Sequence, residues 1–289
     1  MPTLFLGLGV IESVIAIIAG FLAAFINTLA GYGSIISLVV LDELLGNAKS
    51  ANASNRIGIL AAAIVGAWTF RKGGSLKLQG VGWLVVPAVL GSVVGSYIAV
   101  ELDEWLMTIV IIAIMLVMLA LLRPERWLKK DSQLAGDGRR LATVAIFFLI
   151  GMYGGFIQVG VGILLLAGLV LFTGYNMAEG NAVKVLITLC FTIPALTIFA
   201  RSKDMTGDAW TAGSVMAVGQ VAGAFVAARF ASRHPKANIW VRRLLIVMII
   251  VGIAKLGYEL AYPRQRPETN PVPQQVREPE PGRTHPLPV

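Results

Sequence analysis

The chain has 289 residues, of which 56% are hydrophobic and only 14% are charged, and its mean hydropathy is +0.77. These values exclude an ordinary soluble domain and predict a polytopic membrane protein in a lipid bilayer. The net charge of +8 does not indicate nucleic-acid binding, because the basic residues lie between apolar segments, where they set orientation and contact anionic lipid.

Apolar segments long enough to cross a bilayer, at about 20 residues each, recur along most of the chain. They are continuous rather than alternating, so we predict helices and not barrel strands. In chain order, the predicted spans lie near 6–30, 56–71, 81–100, 104–122, 141–160, 182–200, 208–230 and 240–261.

Two further apolar segments, 34–45 and 163–174, follow glycine-rich positions and are too short to cross the membrane. A dozen residues of helix rise only about 18 Å, against a hydrocarbon core of about 30 Å. We therefore predict that each segment is a short broken or re-entrant helix.

Composition divides the chain into four parts. A polar, basic linker at 123–140, predicted to be cytoplasmic, separates a first transmembrane repeat at 1–122 from a second at 141–262. The tail at 263–289 holds eight of the thirteen prolines. Such a composition cannot bury a core, so we expect the tail to be disordered. The predicted fold is therefore all-α, with about four spanning helices and one short helix in each repeat.

A shared motif is the main sign of duplication. Gly31-Tyr32-Gly33 followed by Asn52-Ala53 recurs 129 residues later as Gly160-Val161-Gly162 followed by Asn181-Ala182. Repeated, interrupted hydrophobic segments in corresponding positions of two halves indicate the binding site of a transporter.

Glycine spacing elsewhere predicts close packing of helices. Gly91 and Gly95 in the first half, and Gly219 and Gly223 in the second, are four residues apart within apolar segments. This small-x-x-x-small pattern lets two helix backbones approach closely, so we interpret these glycines as packing residues rather than as chemistry.

Loop charges bear on the orientation of the two halves. Loop 71–77 and the linker are basic whereas 101–104 is acidic, so the positive-inside rule places the first two in the cytoplasm. In the second half, loop 229–243 corresponds to 101–104 but is basic. This change of sign favours inverted-topology repeats, in which the short segments count as crossings; if those segments are re-entrant, the repeats are parallel.

Polar residues inside the membrane are costly and are therefore candidates for function. Here they cluster around the two glycine motifs, where glycine lets the backbone leave helical geometry and free N–H groups can form an anion-binding concavity. Ser34 and Ser54 lie alongside. The predicted substrate-binding residues are Asn27, Gly31, Gly33, Asn52, Asn55 and Arg56 in the first half, and Gln158, Gly160, Gly162, Asn181 and Lys184 in the second.

Arg56 and Lys184 follow the two motifs and lie near the predicted starts of helices. A cation there opposes the helix macrodipole, at a cost of about 0.3–1 kcal/mol, so we expect a compensating negative group. That group is either a carboxylate of the chain, for which the candidates are Asp42, Glu43 and Glu179, or a bound anion. The alternative is that both cations extend to the interface and contact lipid phosphates.

The same stretches resemble the TauE/SafE sulfite exporter family, also called the toluene-sulfonate uptake permease group. The resemblance covers about 20–260 and is carried by the segments 25–33, 51–56, 154–162 and 181–186. One stretch departs from the family pattern: family members often have a longer glycine run after the first helix, whereas here Gly31 is followed by Tyr32, Gly33 and Ser34. The resemblance implies a multi-pass carrier of the bacterial plasma membrane that moves sulfite, sulfonates or related anions, coupled to a proton or sodium gradient.

We therefore predict a secondary transporter of small anions that works by alternating access, with no cofactor. A passive anion channel and a non-transporting scaffold are the alternatives. An enzyme is disfavoured because the predicted spans contain no histidine and no acidic pair with a suitable partner. The lone Cys190 and the histidines outside the spans have no metal-ligand spacing, so no metal site is predicted.

Overall fold

The computed structural model describes residues 3–5, 8–76, 80–121 and 137–231. The span predicted near 240–261, most of the linker and the whole of the tail lie outside these residues.

In these ranges, nine α-helices follow a short pair of antiparallel strands, β1 (Thr3–Phe5) and β2 (Leu8–Gly9). The helices are α1 (Val10–Ala30), α2 (Ser34–Leu45), α3 (Ala48–Lys72), α4 (Gly82–Glu101), α5 (Glu104–Leu121), α6 (Asp137–Phe156), α7 (Val161–Thr173), α8 (Met177–Phe199) and α9 (Gly207–Ala231).

Five of these helices, α1, α3, α4, α8 and α9, are long and apolar enough to cross a membrane. The prediction of a helical, multi-pass membrane protein is confirmed at this level. Buried apolar side chains form two clusters, one around α1, α2 and α9 and the other around α4, α6, α7 and α8, and α3 contributes to both. The helix α3 therefore joins the two halves of the core.

Four predicted spans have an N-terminal boundary that is wrong by four to eight residues; α6 begins at Asp137 rather than near 141, and α8 at Met177 rather than near 182. The first span begins at Val10 rather than near residue 6, because the preceding residues pair as strands. The second begins at Ala48 rather than near residue 56. Its first two turns contain Lys49, Asn52 and Asn55, which lower the hydropathy but are buried against other helices.

Both short apolar segments form short helices flanked by glycine. The chain leaves α1 through Gly31, at φ 85°, and enters α7 through Gly160, at φ 68°; both glycines have left-handed conformations that other residues rarely adopt. At their other ends α2 and α7 stop at Gly46 and Gly174, again at positive φ. Gly162, which we predicted in the break, lies instead in the first turn of α7.

The small-residue patterns produce close helix contacts, as predicted. A Cβ atom placed on Gly91 or Gly95 of α4 would lie 2.0 or 1.8 Å from a carbonyl oxygen of α6. A Cβ atom on Gly219 or Gly223 of α9 would lie 1.9 or 2.2 Å from a carbonyl oxygen of α1. Because real Cβ atoms do not approach so closely, these two helix pairs depend on glycine.

The contact of α4 with α6 gives a test. We expect Gly95→Ala to lower the melting temperature of the detergent-purified protein by several degrees, because the new Cβ would lie 1.8 Å from the Met152 carbonyl oxygen. Gly82→Ala, in the same helix, meets nothing within 4 Å and serves as the control. Equal melting temperatures for the two variants would contradict close packing of α4 on α6.

Candidate functional site

The two glycine breaks meet at the centre of the described structure. A Cβ atom on Gly31 would lie 2.6 Å from the carbonyl carbon of Gly162, and one on Gly162 would lie 2.7 Å from Cα of Gly31. Beside this contact the Ser34 hydroxyl donates to the carbonyl oxygen of Gln158 over 2.8 Å and accepts from the N–H of Gly160 over 3.4 Å. The structure thus places residues of both motifs together.

Gly33 begins the return of the chain along α1. It is the N-cap residue of α2, and a Cβ atom on it would lie 1.8 Å from the carbonyl oxygen of Ala23. The first turn of α2 therefore packs directly on the last two turns of α1, which only a glycine at this position allows.

Arg56 binds the carbonyl end of α6. Its guanidinium donates to the carbonyl oxygens of Gly154 (3.2 Å), Gly155 (2.6 Å) and Phe156 (3.1 Å), and its Cζ lies 4.0 Å from the centre of the Phe199 ring. The last carbonyls of a helix have no intrahelical partner and carry the negative end of its dipole, so a cation is a favourable partner.

Lys184 binds the carbonyl end of α1. Its ammonium donates to the carbonyl oxygens of Asn27 over 3.1 Å and of Thr28 over 3.2 Å. The ammonium has three hydrogens, so one remains for another partner. Each of the two helices that end at a glycine break, α1 and α6, thus has C-terminal carbonyls bound by a cation from the other half of the chain.

This arrangement corrects the placement of the two cations. Neither lies at a helix start: α3 begins at Ala48 and α8 at Met177, each about two turns earlier. The macrodipole acts within the first turn, so the predicted conflict does not arise. In the described part of the chain neither cation forms a salt bridge with Asp42, Glu43 or Glu179. Arg56 is 0% and Lys184 2% exposed, which excludes contact with lipid phosphates.

The predicted amide side chains have unequal contacts. Asn52 donates to the carbonyl oxygen of Phe156 over 2.9 Å and so supports the same helix end as Arg56. Gln158 donates over 2.6 Å to the hydroxyl of Thr192, which donates in turn to the carbonyl oxygen of Thr188. The Oε1 atom of Gln158 is buried and has no hydrogen-bond partner within the described ranges. The same holds for Oδ1 of Asn181.

A cavity of about 30 Å³, large enough for water-sized molecules, lies between the broken helices. Two of its walls are the first turns of α2 and α7, and neither helix has a side-chain cap at its N-terminus. The polar residues of the lining are Asn27, Thr28, Ser34, Ser37, Lys184, Thr188 and Gln220.

Three of the predicted site residues line this cavity, namely Asn27, Gly162 and Lys184. The other eight are absent from its lining: Gly31, Gly33, Asn52, Asn55, Arg56, Gln158, Gly160 and Asn181. Ser37 and Thr188 were missed, although helical spacing from Ser34 and Lys184 points to both. Gln220 was missed because it lies inside a packing motif.

A buried ion pair was also missed. Lys49 in the first turn of α3 lies 3.4 Å from Oδ2 of Asp204, in the turn between α8 and α9, and donates to the carbonyl oxygen of Val100 over 2.8 Å. The pair connects both halves of the chain, away from the glycine breaks.

As for a metal site, the described residues contain no group of three or more His, Cys, Asp or Glu side chains that could hold an ion.

The bonds of Arg56 make it essential for stability. We expect Arg56→Gln to lower the free energy of unfolding by about 2–3 kcal/mol, because buried carbonyl oxygens would lose a charged donor. Arg201→Gln, the same substitution at an exposed turn residue, is the control. Denaturant unfolding of both variants measures the difference; equal stability would show that the carbonyl contacts of Arg56 contribute nothing.

Comparison with known proteins agrees with the resemblance. The family model described as "Sulfite exporter TauE/SafE" matches residues 16–256. A "Probable membrane transporter protein" of Haemophilus influenzae is 22% identical over 245 residues, which cover 83% of this chain and 92% of that protein. The "Probable membrane transporter protein YfcA" of Escherichia coli strain K12 is 27% identical over 244 residues, 82% of this chain and 87% of its own. No solved structure matches the chain significantly.

Proposed function

The chain belongs to the sulfite exporter TauE/SafE family of membrane transporters, and from this premise we propose that it is a secondary transporter of small anions. The anion would bind in the cavity between the broken helices, near the midplane of the membrane. Transport would proceed by alternating access, driven by a proton or sodium gradient across the bacterial plasma membrane.

The observation that carries this proposal is the convergence of three positive groups on one cavity. The first turns of α2 and α7 line it and have no side-chain cap, so the positive ends of both helix dipoles face the cavity. The N–H groups of Ile35, Ile36 and Ile163 already donate to backbone carbonyl oxygens, so these two helix ends attract an anion through their dipoles. The ammonium of Lys184 lines the same cavity and has a hydrogen left to donate. Such a set of donors in a desolvated space favours an anion.

The bonds of the two cations make the site more favourable to an anion. The carbonyl ends of α1 and α6 lie close to the breaks and would repel a negative charge. Lys184 and Arg56 neutralise these ends, while the positive ends of α2 and α7 stay open to the cavity. The chain thus satisfies the negative helix ends internally and leaves the positive ends to the substrate.

The family and the size of the cavity support the proposed substrate class. The family description names sulfite. Because the cavity has room only for water-sized molecules, it supports a small oxyanion such as sulfite rather than a bulky aryl sulfonate. The hydroxyl group of Thr188 in the lining supplies a neutral donor for an oxygen of such an anion, whereas the hydroxyls of Ser34 and Ser37 already donate to backbone carbonyls.

Reciprocal contacts support a pair of repeats of inverted topology. The carbonyl oxygens of Asn27 and Phe156, which are 129 residues apart, accept from Lys184 and Arg56 respectively. Likewise α4 packs on α6 as α9 packs on α1. A twofold relation between the described helices of the two halves, α1–α4 and α6–α9, accounts for both correspondences.

The charge of Lys184 gives the direct test. In proteoliposomes loaded with radiolabelled sulfite, we expect Lys184→Gln to reduce the rate of flux by more than about tenfold, because a charged hydrogen bond to the anion is worth about 1.5–3 kcal/mol. Sulfite should also raise the melting temperature of the native protein but not that of Lys184→Gln.

Lys72→Gln serves as the control, since it removes the same charge from an exposed position at the end of α3. Native flux in Lys184→Gln, with the protein folded, would refute the assignment of the anion site. Flux that does not respond to proton or sodium gradients would instead favour the passive channel.

A further inference from the structure

Gln220 is a buried polar side chain in the middle of α9, and it lines the cavity between the broken helices. Only 2% of it is exposed. A carboxamide in an apolar helix bundle is costly unless its polar atoms find partners. Gly219 and Gly223 on either side of it explain the close contact of α9 with α1. They do not explain why Gln220, which lies between them, is polar.

The helix α3 provides a seat for this side chain. Asn55 Oδ1 lies 3.5 Å from Gln220 Nε2, at the long limit of a hydrogen bond. One turn further along α3, a Cβ atom on Gly58 would lie 2.6 Å from Gln220 Oε1 and 2.7 Å from its Cδ. The carboxamide therefore lies directly on the backbone of Gly58, in space that a larger residue would fill.

The contacts with Asn55 and Gly58 orient the carboxamide of Gln220. Nε2 carries two hydrogens, of which Asn55 accepts one. The second is available to a molecule in the cavity that Gln220 lines together with Lys184. A neutral donor from α9 would thus complement the charged donor from α8.

We infer that Gln220 is a substrate-binding residue, which donates an amide hydrogen bond to an oxygen of the anion. Asn55 and Gly58 are its positioning residues. Asn55, which the sequence places in the site, acts through Gln220 and does not contact the substrate. The inference rests on the proposed anion transport and adds a specificity-determining residue to it.

The first test changes the charge of Gln220 at nearly constant shape. With sulfite as the probe in proteoliposomes, we expect Gln220→Glu to raise the half-saturation concentration at least about tenfold, since a carboxylate in place of the donor repels the anion. Gln220→Leu, which removes the donor without adding charge, should raise it by less. A merely structural role would lower the melting temperature of both variants and leave the half-saturation concentration unchanged.

The second test displaces the amide without altering any polar group. Gly58→Ala places a methyl group where the carboxamide now lies, and we expect the half-saturation concentration for sulfite to rise about threefold to tenfold while the maximal rate changes little. The control is Gly73→Ala at the end of the same helix, whose new Cβ would make only an ordinary contact, 3.4 Å from the Thr69 carbonyl oxygen. Because neither change buries a charge, this pair tests the inference even if Gln220→Glu does not fold.

The outcomes separate this inference from the proposed function. If sulfite flux saturates and depends on Lys184, but Gly58→Ala and the folded Gln220 variants keep the native half-saturation concentration, the role of Gln220 is refuted and the transporter stands. If the native protein shows neither sulfite flux nor a sulfite-dependent melting temperature, both proposals fail together.

Discussion

The structure depends on how the backbone carbonyl and N–H groups at the two helix breaks find hydrogen-bond partners inside the membrane. A break within a bilayer leaves carbonyl groups at one helix end and N–H groups at the next, each costly if unpaired. Here the carbonyl ends of α1 and α6 are bound by Lys184 and Arg56 across the two halves. The N–H ends of α2 and α7 face a cavity instead. We propose that this asymmetry turns a structural cost into a site for negative charge.

Close approach of the helix backbones brings each cation within reach of the helix end in the other half of the chain. Gly31 and Gly162 touch without side chains, and Ser34 bridges to the opposite break. Glycine contacts also hold α6 against α4 and α1 against α9, and α1 and α6 are the two helices that end at the glycine breaks. In the same arrangement the cations of α3 and α8 each reach carbonyls of a helix from the other half.

Much of the architecture was predictable because hydropathy reports burial in lipid. The short helices were predicted from their apolar length and the glycines before them. Arg56 and Lys184 were singled out by their position after the two motifs, although they were wrongly placed at helix starts. Their partners were not predictable, because backbone carbonyls up to 157 residues away leave no mark on the sequence. The first turns of α3 were missed since polar residues there face protein and not lipid. Gln220 was hidden by the glycines that flank it.

The central claim is that neutralised carbonyl ends and uncapped helix N-termini together form an anion site, and a crystal structure of the full chain grown with selenite tests it most directly. We predict an anomalous selenium peak beside the Lys184 ammonium and the first turns of α2 and α7, with the Arg56 guanidinium on the carbonyls of residues 154–156. A cavity without selenium, with both cations at the membrane surface, would contradict the account.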